Sequence, residues 1–354
     1  MSTTALQPTS EPPETPLDER LAKVSFLTKL LQRPELGAMI GAGAVFLFFA
    51  VTAEQFATLS GIARWTDVAS TLGIMAVAVA LLMIGGEFDL SSGVMTGSTG
   101  LLMGILATEV GMNIWLAILL TFVFAACIGL INGYMVIRTG LPSFIVTLAT
   151  FFILQGVNLG GTKAITDTVR VGGLRDTAGF ESAQKIFASD FWDPHNYRVS
   201  VIWWIVITAL ATWVLFRTRV GNWIFGVGGD KIAARNVGVP VNRVKIGLFM
   251  MTSMAAALVG IMIALRLGSV QASQGVGEEF TYIIAAVVGG CLLTGGYGSA
   301  IGASFGALIV GMAFIGIQFS GWNTDWRYLF LGVILLAAVL VNTYVRRRAE
   351  GARS

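Results

Sequence analysis

Long stretches of this chain carry no charge at all. Residues 40–53, 68–86, 112–137, 199–216, 246–265 and 329–345 are free of Asp, Glu, Lys and Arg. Several reach the roughly 18–20 apolar residues that span a bilayer as a helix. A water-soluble core helix has no need of such length, because one of its faces must meet solvent. Composition agrees: 55% of residues are hydrophobic and 12% are charged, against about 25% charged in a typical soluble domain. The chain is therefore expected to be an all-α polytopic membrane protein. A formal charge of +3 over 354 residues gives no reason to expect nucleic acid as a partner.

Ten spans are expected, at 37–57, 66–85, 90–108, 113–137, 142–160, 199–216, 244–266, 279–294, 300–319 and 328–345. Spans 90–108 and 279–294 are rich in Gly, Ser and Thr, so they are expected inside the bundle, away from lipid. With the N-terminus in the cytoplasm, the inner segments hold 15 of the 23 basic residues, among them Arg138, Arg217, Arg219, Arg243 and Arg346. The outer segments hold the other 8, including Arg64, Arg198, Arg266 and Arg327, and five of these share one long loop. The positive-inside rule then places both termini in the cytoplasm, which requires an even number of spans. The organisation read from this is a cytoplasmic tail over 1–36, a transmembrane domain over 37–345 and a basic cytoplasmic tail over 346–354. Residues 161–198 form an outer, periplasmic loop and 217–245 an inner loop. The Pro-, Ser- and Glu-rich start reads as a disordered tail, not a secretory signal. Residues 17–31 read either as a helix on the inner leaflet or as a plain soluble helix.

Glycine is abundant, at 43 residues. Many recur at a spacing of four: Gly37/Gly41, Gly93/Gly97, Gly100/Gly104, Gly129/Gly133, Gly156/Gly160 and Gly298/Gly302/Gly306. Small residues at this spacing let helix backbones approach closely in lipid, within one subunit or between two. Cys127 and Cys291 both fall in apolar segments and read as small buried hydrophobes. With a single histidine, His195, no metal site is expected.

The inner loop contains a short helix signal over 230–237. Asp230 is its N-cap, Gly238 its stop, and Pro240 prevents continuation. Ala233, Ala234 and Gly238 leave a small-residue surface. A helix this short cannot bury a face of its own, so it is expected to dock on something.

Gly228-Gly229-Asp230-Lys231-Ile232-Ala233-Ala234-Arg235 followed by Gly238 resembles the coupling loop of permeases in ATP-binding-cassette importers. The match is best to the ribose and xylose class of sugar permeases, a branched-chain-amino-acid-permease-like family. Gly85-Gly86-Glu87-Phe88-Asp89-Leu90-Ser91-Ser92-Gly93 resembles a second segment of that family. Glu87 departs from it, standing where an aliphatic residue is usual. Leu141-Pro142-Ser143-Phe144-Ile145-Val146-Thr147-Leu148 resembles a third segment, and the glycine-rich stretch over 287–302 a fourth. The four occur in order, from about residue 40 to 345.

The resemblance implies a permease subunit, itself not an enzyme, that passes a sugar-like solute delivered by a periplasmic sugar-binding protein. ATP and magnesium would be used by a separate ABC ATPase, with no cofactor bound by this chain. Two permeases, a second copy or a relative, would pair in the bacterial inner membrane. Asp230, Lys231, Ala233, Ala234, Arg235 and Gly238 would couple to the ATPase. The sequence has no Gly-x-x-x-x-Gly-Lys-Ser/Thr phosphate loop. The alternative is a ten-span secondary carrier for a small metabolite, which needs no docking helix and more often carries a mid-membrane acid.

Glu87, Asp89 and Ser91 lie in a charged break between spans. Asp89 either caps the helix starting near Leu90 or takes part in gating or in contact with the ATPase. Asn132, Thr147, Phe151, Gln155, Asn158 and Thr281 are the polar and aromatic candidates for a translocation path, each equally able to serve helix packing. The pair Gly86-Glu87-Phe88 and Gly277-Glu278-Glu279-Phe280 suggests an inverted repeat of spans 2–5 and 7–10.

Overall fold

The computed structural model describes residues 34–351, with side chains through 340. The expected tail and surface helix over 1–33 lie outside the described residues. Thirteen α-helices are described, with no sheet larger than a two-stranded ribbon among the described residues. They are α1 (Pro34–Thr52), α2 (Leu59–Ile84), α3 (Ser92–Thr108), α4 (Ile114–Thr139) and α5 (Ser143–Thr166). Next come α6 (Phe180–Phe187), α7 (Val199–Arg217), α8 (Arg219–Gly229), α9 (Lys231–Asn236) and α10 (Val241–Leu267). The last three are α11 (Glu278–Val288), α12 (Ala300–Phe319) and α13 (Trp326–Gly351).

Local chemistry sets the boundaries. Thr58, Asn113 and Ser299 accept hydrogen bonds from the first-turn amides of α2, α4 and α12. Each satisfies a donor that the helix itself cannot. Gly140 and Gly268 end α4 and α10 in the left-handed conformation, at φ 70° and 66°, where a side chain would be strained.

Seven helices are long and apolar enough to cross a membrane: those at 35–52, 59–84, 114–139, 143–166, 199–217, 241–267 and 300–319. They separate into two groups by burial. In α2, α10 and α12 the spanning window is 83%, 72% and 72% buried, while in α1, α4, α5 and α7 it is 17–33% buried. The first three form the centre, and the other four turn Leu, Ile and Phe outward, toward the place of lipid. The packing follows a repeating pattern. α2 lies along α12, and α10 lies along α4. α3 packs on α4 and α5, and α11 packs on α12 and α13.

Three expectations need correction, and the segment over 161–198 is filled in. The span expected at 279–294 is not one helix. α11 stops after 11 residues, a length of about 16 Å, roughly half the hydrocarbon core. Gly289 and Gly290 end it, with Gly290 at φ 93°, and the chain continues without helix to Ser299. The loop over 161–198 is ordered: α5 runs on to Thr166, α6 follows, and two antiparallel ribbons pair 170–171 with 270–271 and 190–191 with 197–198. The loop over 217–245 holds two short helices, α8 and α9, rather than one. Cys127 is exposed, whereas Cys291 is buried; Cys127 falls on the outward face of α4.

Much of the glycine spacing is close packing within the chain. A methyl on Gly93 would lie 2.1 Å from a Glu279 carboxylate oxygen, and one on Gly97 would lie 2.2 Å from the Gln274 carbonyl. α3 thus rests on the connection between α10 and α11. Gly302 and Gly306 press on α11: a methyl on them would lie 2.0 and 1.9 Å from the Gly289 and Ala285 carbonyl oxygens. Gly156 and Gly160 differ: a methyl placed on either would meet nothing within 4 Å.

Candidate functional site

The charged break between α2 and α3 is the centre of a built site. α2 ends at Ile84 with Gly85 as its C-cap, and Gly86 turns the chain at φ 81°. The amides of Gly85, Gly86 and Glu87 close back onto the last turn of α2, but those of Phe88, Leu90 and Ser91 find no backbone ladder and take side-chain acceptors. The Phe88 amide donates to Ser143 Oγ at 3.0 Å, and the Leu90 amide donates to Thr147 Oγ1 at 3.0 Å. The Ser91 amide donates to Asp89 Oδ1 at 2.8 Å, and the Ser91 hydroxyl donates to the same oxygen at 2.5 Å. Asn132 Nδ2 on α4 donates to Ser91 Oγ at 3.1 Å, and Thr150 Oγ1 on α5 donates to Asn132 Oδ1 at 2.6 Å. Two resembling segments are thereby explained together: the 141–148 stretch supplies the two hydroxyls that hold the 85–93 stretch. Each bond is worth about 0.5–1.5 kcal/mol net, and a buried amide left bare costs about 1–3 kcal/mol.

Asp89 does not cap α3. The helix begins at Ser92, and its N-cap residue Ser91 makes no side-chain cap bond. The Asp89 carboxylate instead closes a turn on the residue two ahead, which competes with continuing the helix. Its second oxygen, Oδ2, is buried without a partner.

Glu87 pairs with Lys245 at the start of α10. Their side chains are only 8% and 14% exposed. Both line a cleft of about 890 Å³ that also takes in Phe88, Pro142, Asp230 and Arg235.

α8 and α9 sit at this same end. Thr218 caps α8, and Asp230 caps α9 by accepting from the Ile232 and Ala233 amides at 2.8 and 3.0 Å. These bonds, that from Ala233 first, hold the Asp230 carboxyl below the usual carboxylate range. Gly238, at φ 85°, stops the element, and the Val239 amide closes back onto the Ala234 carbonyl at 3.0 Å. The cap and stop are as the sequence suggests, but the outward surface is not. Ala234 is buried, under α8. Ala233, Lys231 and Arg235 face out, along with Ile232 and Val237, which are 67% and 79% exposed.

Among the path candidates, Asn132 and Thr147 are fully buried and belong to the network around the break. Phe151 and Gln155 are half-buried on α5, and Asn158 is buried there with Nδ2 unpartnered. Thr281 is buried on α11. The hydrogen bonds of the network take in none of these four.

A residue the sequence reading passed over is Asp67, at the opposite end of α2. Arg266 Nη1 donates to both of its carboxylate oxygens at 3.0 Å, and Arg198 Nε stands at 4.0 Å. Arg198 also pairs with Asp190. This cluster ties α2, α7 and α10 together. An acid one residue before the apolar run at 68–86 was the available signal.

Apolar helices in this number define a multi-pass integral membrane protein. Residues 61–339 match the family described as branched-chain amino acid transport system / permease component, and the chain belongs to it. The fructose import permease protein of Rhizobium meliloti is 31% identical over 78% of this chain and 76% of its own length. The ribose import permease protein of Escherichia coli K12 is 30% identical over 90% of this chain and 96% of its own. The xylose transport system permease protein of the same organism is 28% identical over 86% and 91%. No solved structure matches.

Proposed function

We propose that the chain is the membrane-spanning permease subunit of an ATP-binding-cassette importer for a sugar or sugar-like solute, in the bacterial inner membrane. The observation that carries this is similarity over 78–90% of the chain to permeases whose names specify ribose, xylose and fructose. The family title names amino acids, but these long alignments favour a sugar.

In this reading the break at 85–91, the cleft and α8–α9 face the cytoplasm, and the Asp67–Arg266 cluster faces outward. Seven helices qualify as spans by length and composition. The shorter apolar helices at 92–108 and 326–340 and the half-helix α11 bring the crossings to ten, with both termini inside. The matched packing of α2 on α12 and α10 on α4 supports an inverted repeat of α2–α5 and α10–α13.

α8–α9 is read as the docking element for a separate ATPase, which uses ATP and magnesium. Ile232 and Val237 would enter the partner, while Asp230 and Gly238 fix the shape of the element. Lys231, Ala233 and Arg235 border that surface, and Ala234 holds α9 to α8. A periplasmic binding protein delivers the solute, and a second permease completes the membrane pair. The open Gly156/Gly160 face of α5 suits such a contact. Glu87, Asp89 and Ser91 hold the break. Asn132 and Thr147 serve that same break, which leaves Phe151, Gln155, Asn158 and Thr281 as path candidates.

The test is purification of the tagged chain in mild detergent from its native host, with mass identification of its companions. A companion bearing a phosphate-loop ATPase sequence is the expected result. A chain that emerges alone and drives gradient-dependent uptake would overturn the reading.

A further inference from the structure

Three segments distant in sequence meet at the break with only backbone between them. They are the end of α2 at Ile84, the end of α8 at Gly228 and Gly229, and the loop at Gly295 and Gly296. The Gly296 amide donates to the Ile84 carbonyl at 2.8 Å. α8 lies directly over that bond. A methyl on Gly228 would stand 1.7 Å from the Ile84 oxygen and 2.7 Å from the Gly296 nitrogen. A methyl on Gly295 would stand 2.8 Å from both the Gly228 oxygen and the Gly86 Cα. On Gly296 it would stand 2.9 Å from the Gly229 Cα. Real carbon contacts never approach so closely, so no side chain can be accommodated at this point without displacing one of the three backbones.

The placement has a mechanical meaning. Side chains absorb small displacements by changing rotamer, whereas backbones in direct contact pass them on. Gly228 lies two residues before Asp230, the cap of α9, so a push on α9 reaches it with no slack segment between. On its far side stand two different outlets. Ile84 is the last residue of α2. Gly296 leads through the Ser299 cap into α12. These two helices belong to the two different four-helix sets, and they are packed along each other.

We propose that Gly228 is a positioning residue for transport: its bare backbone is the joint through which α8–α9 drives α2 and the 289–299 loop together. This rests on the reading of α8–α9 as the ATPase-docking element. Gly229 provides an internal control, because nothing lies within 4 Å of a methyl placed there.

The test uses the complex as purified with its ATPase. Hydrogen–deuterium exchange is compared with and without magnesium ATP and orthovanadate, for wild type, Gly228→Ala and Gly229→Ala. In wild type and Gly229→Ala, exchange in 82–90, 219–229 and 289–299 should change together. Gly228→Ala should keep the ATPase bound, and its response at 289–299 should fall at least fivefold. A wild-type response in Gly228→Ala, or an equal loss in Gly229→Ala, would overturn the joint. If Gly228→Ala does not accumulate, the wild-type complex decides alone: a response at 219–229 with none at 289–299 also overturns it. Absence of any ATPase from the wild-type preparation would remove the functional reading itself, and the joint with it. An ATPase present beside a silent 289–299 loop removes only the joint.

Discussion

Breaking the Glu87–Lys245 pair should cost far more than removing it. Both side chains are largely enclosed, at 8% and 14% exposure. Removing one partner leaves the other charge buried and unpaired, a cost of about 3–5 kcal/mol, whereas replacing both by apolar groups is often neutral. The two single changes should also differ. Lys245 has a long flexible stem and borders a cleft of about 890 Å³, so it can swing its ammonium toward water. Glu87 is shorter and lies in the constrained break. Lys245→Met, which strands the carboxylate, should therefore cost about 3–4 kcal/mol, and Glu87→Gln about 2 kcal/mol. The double variant should recover most of this, costing about 1 kcal/mol or less, so that the two single effects overlap by an interaction energy of about 4–5 kcal/mol. The assay is a double-mutant cycle on thermal unfolding of the detergent-purified protein. At about 2 °C per kcal/mol for a large domain, Lys245→Met should melt roughly 6–8 °C lower and the double variant within about 2 °C of wild type. Strict additivity of the two single effects would refute the argument, because it would mean the charges do not depend on each other.

Thr147→Val keeps the shape but removes the acceptor of the Leu90 amide, so it should lower stability by about 1–3 kcal/mol. Thr147→Ser should retain most of it, and a thermal melt of the two variants checks the difference. The Asp230 carboxyl titrates below its ordinary value when folded, so its stabilisation of α9 is present above about pH 4 and is lost as pH falls through the lower folded value. Exchange protection of 231–238, corrected for intrinsic rate, should drop over that window in wild type, and Asp230→Asn should show no such step. Ile232→Glu and Val237→Glu should abolish ATPase co-purification while leaving the melt within about 1 °C, as surface changes do. Ala234→Glu should instead lower the melt itself, because it buries a charge against α8; a pull-down and a melt on the same samples separate the two.

How far the sequence could be read depended on the range over which each feature is determined. The cap and stop at Asp230 and Gly238 are local, decided by three or four neighbouring residues, and they are visible in one dimension. The hydroxyls of Ser143 and Thr147 were legible as polar groups in an apolar helix but not as the partners of Phe88 and Leu90, because 55 and 57 residues separate donor from acceptor. The same holds for Asp67 and Arg266, 199 residues apart. α9 misled for a different reason. With six residues it completes fewer than two turns, so periodicity cannot say which of Ile232 and Ala234 faces inward. The early end of α11 was hidden because hydropathy averages over the Gly289-Gly290 pair, while the backbone turns at that pair.

The backbone contacts along α3, α11 and α12 also reverse the usual map of mutational tolerance. In a water-soluble protein the large core residues are the sensitive ones and small surface residues vary freely. Here the bulky outward residues of α4, such as Leu119 and Ile131, are exposed and would face hydrocarbon in a membrane, so exchange among Leu, Ile, Val and Phe should pass unnoticed. The intolerant positions should be among the smallest, where even one added carbon has no room: Gly93, Gly97, Gly302 and Gly306. A saturation scan scored by growth on the transported solute would then draw the architecture in negative, with glycines marking the axis of the bundle and leucines its rim.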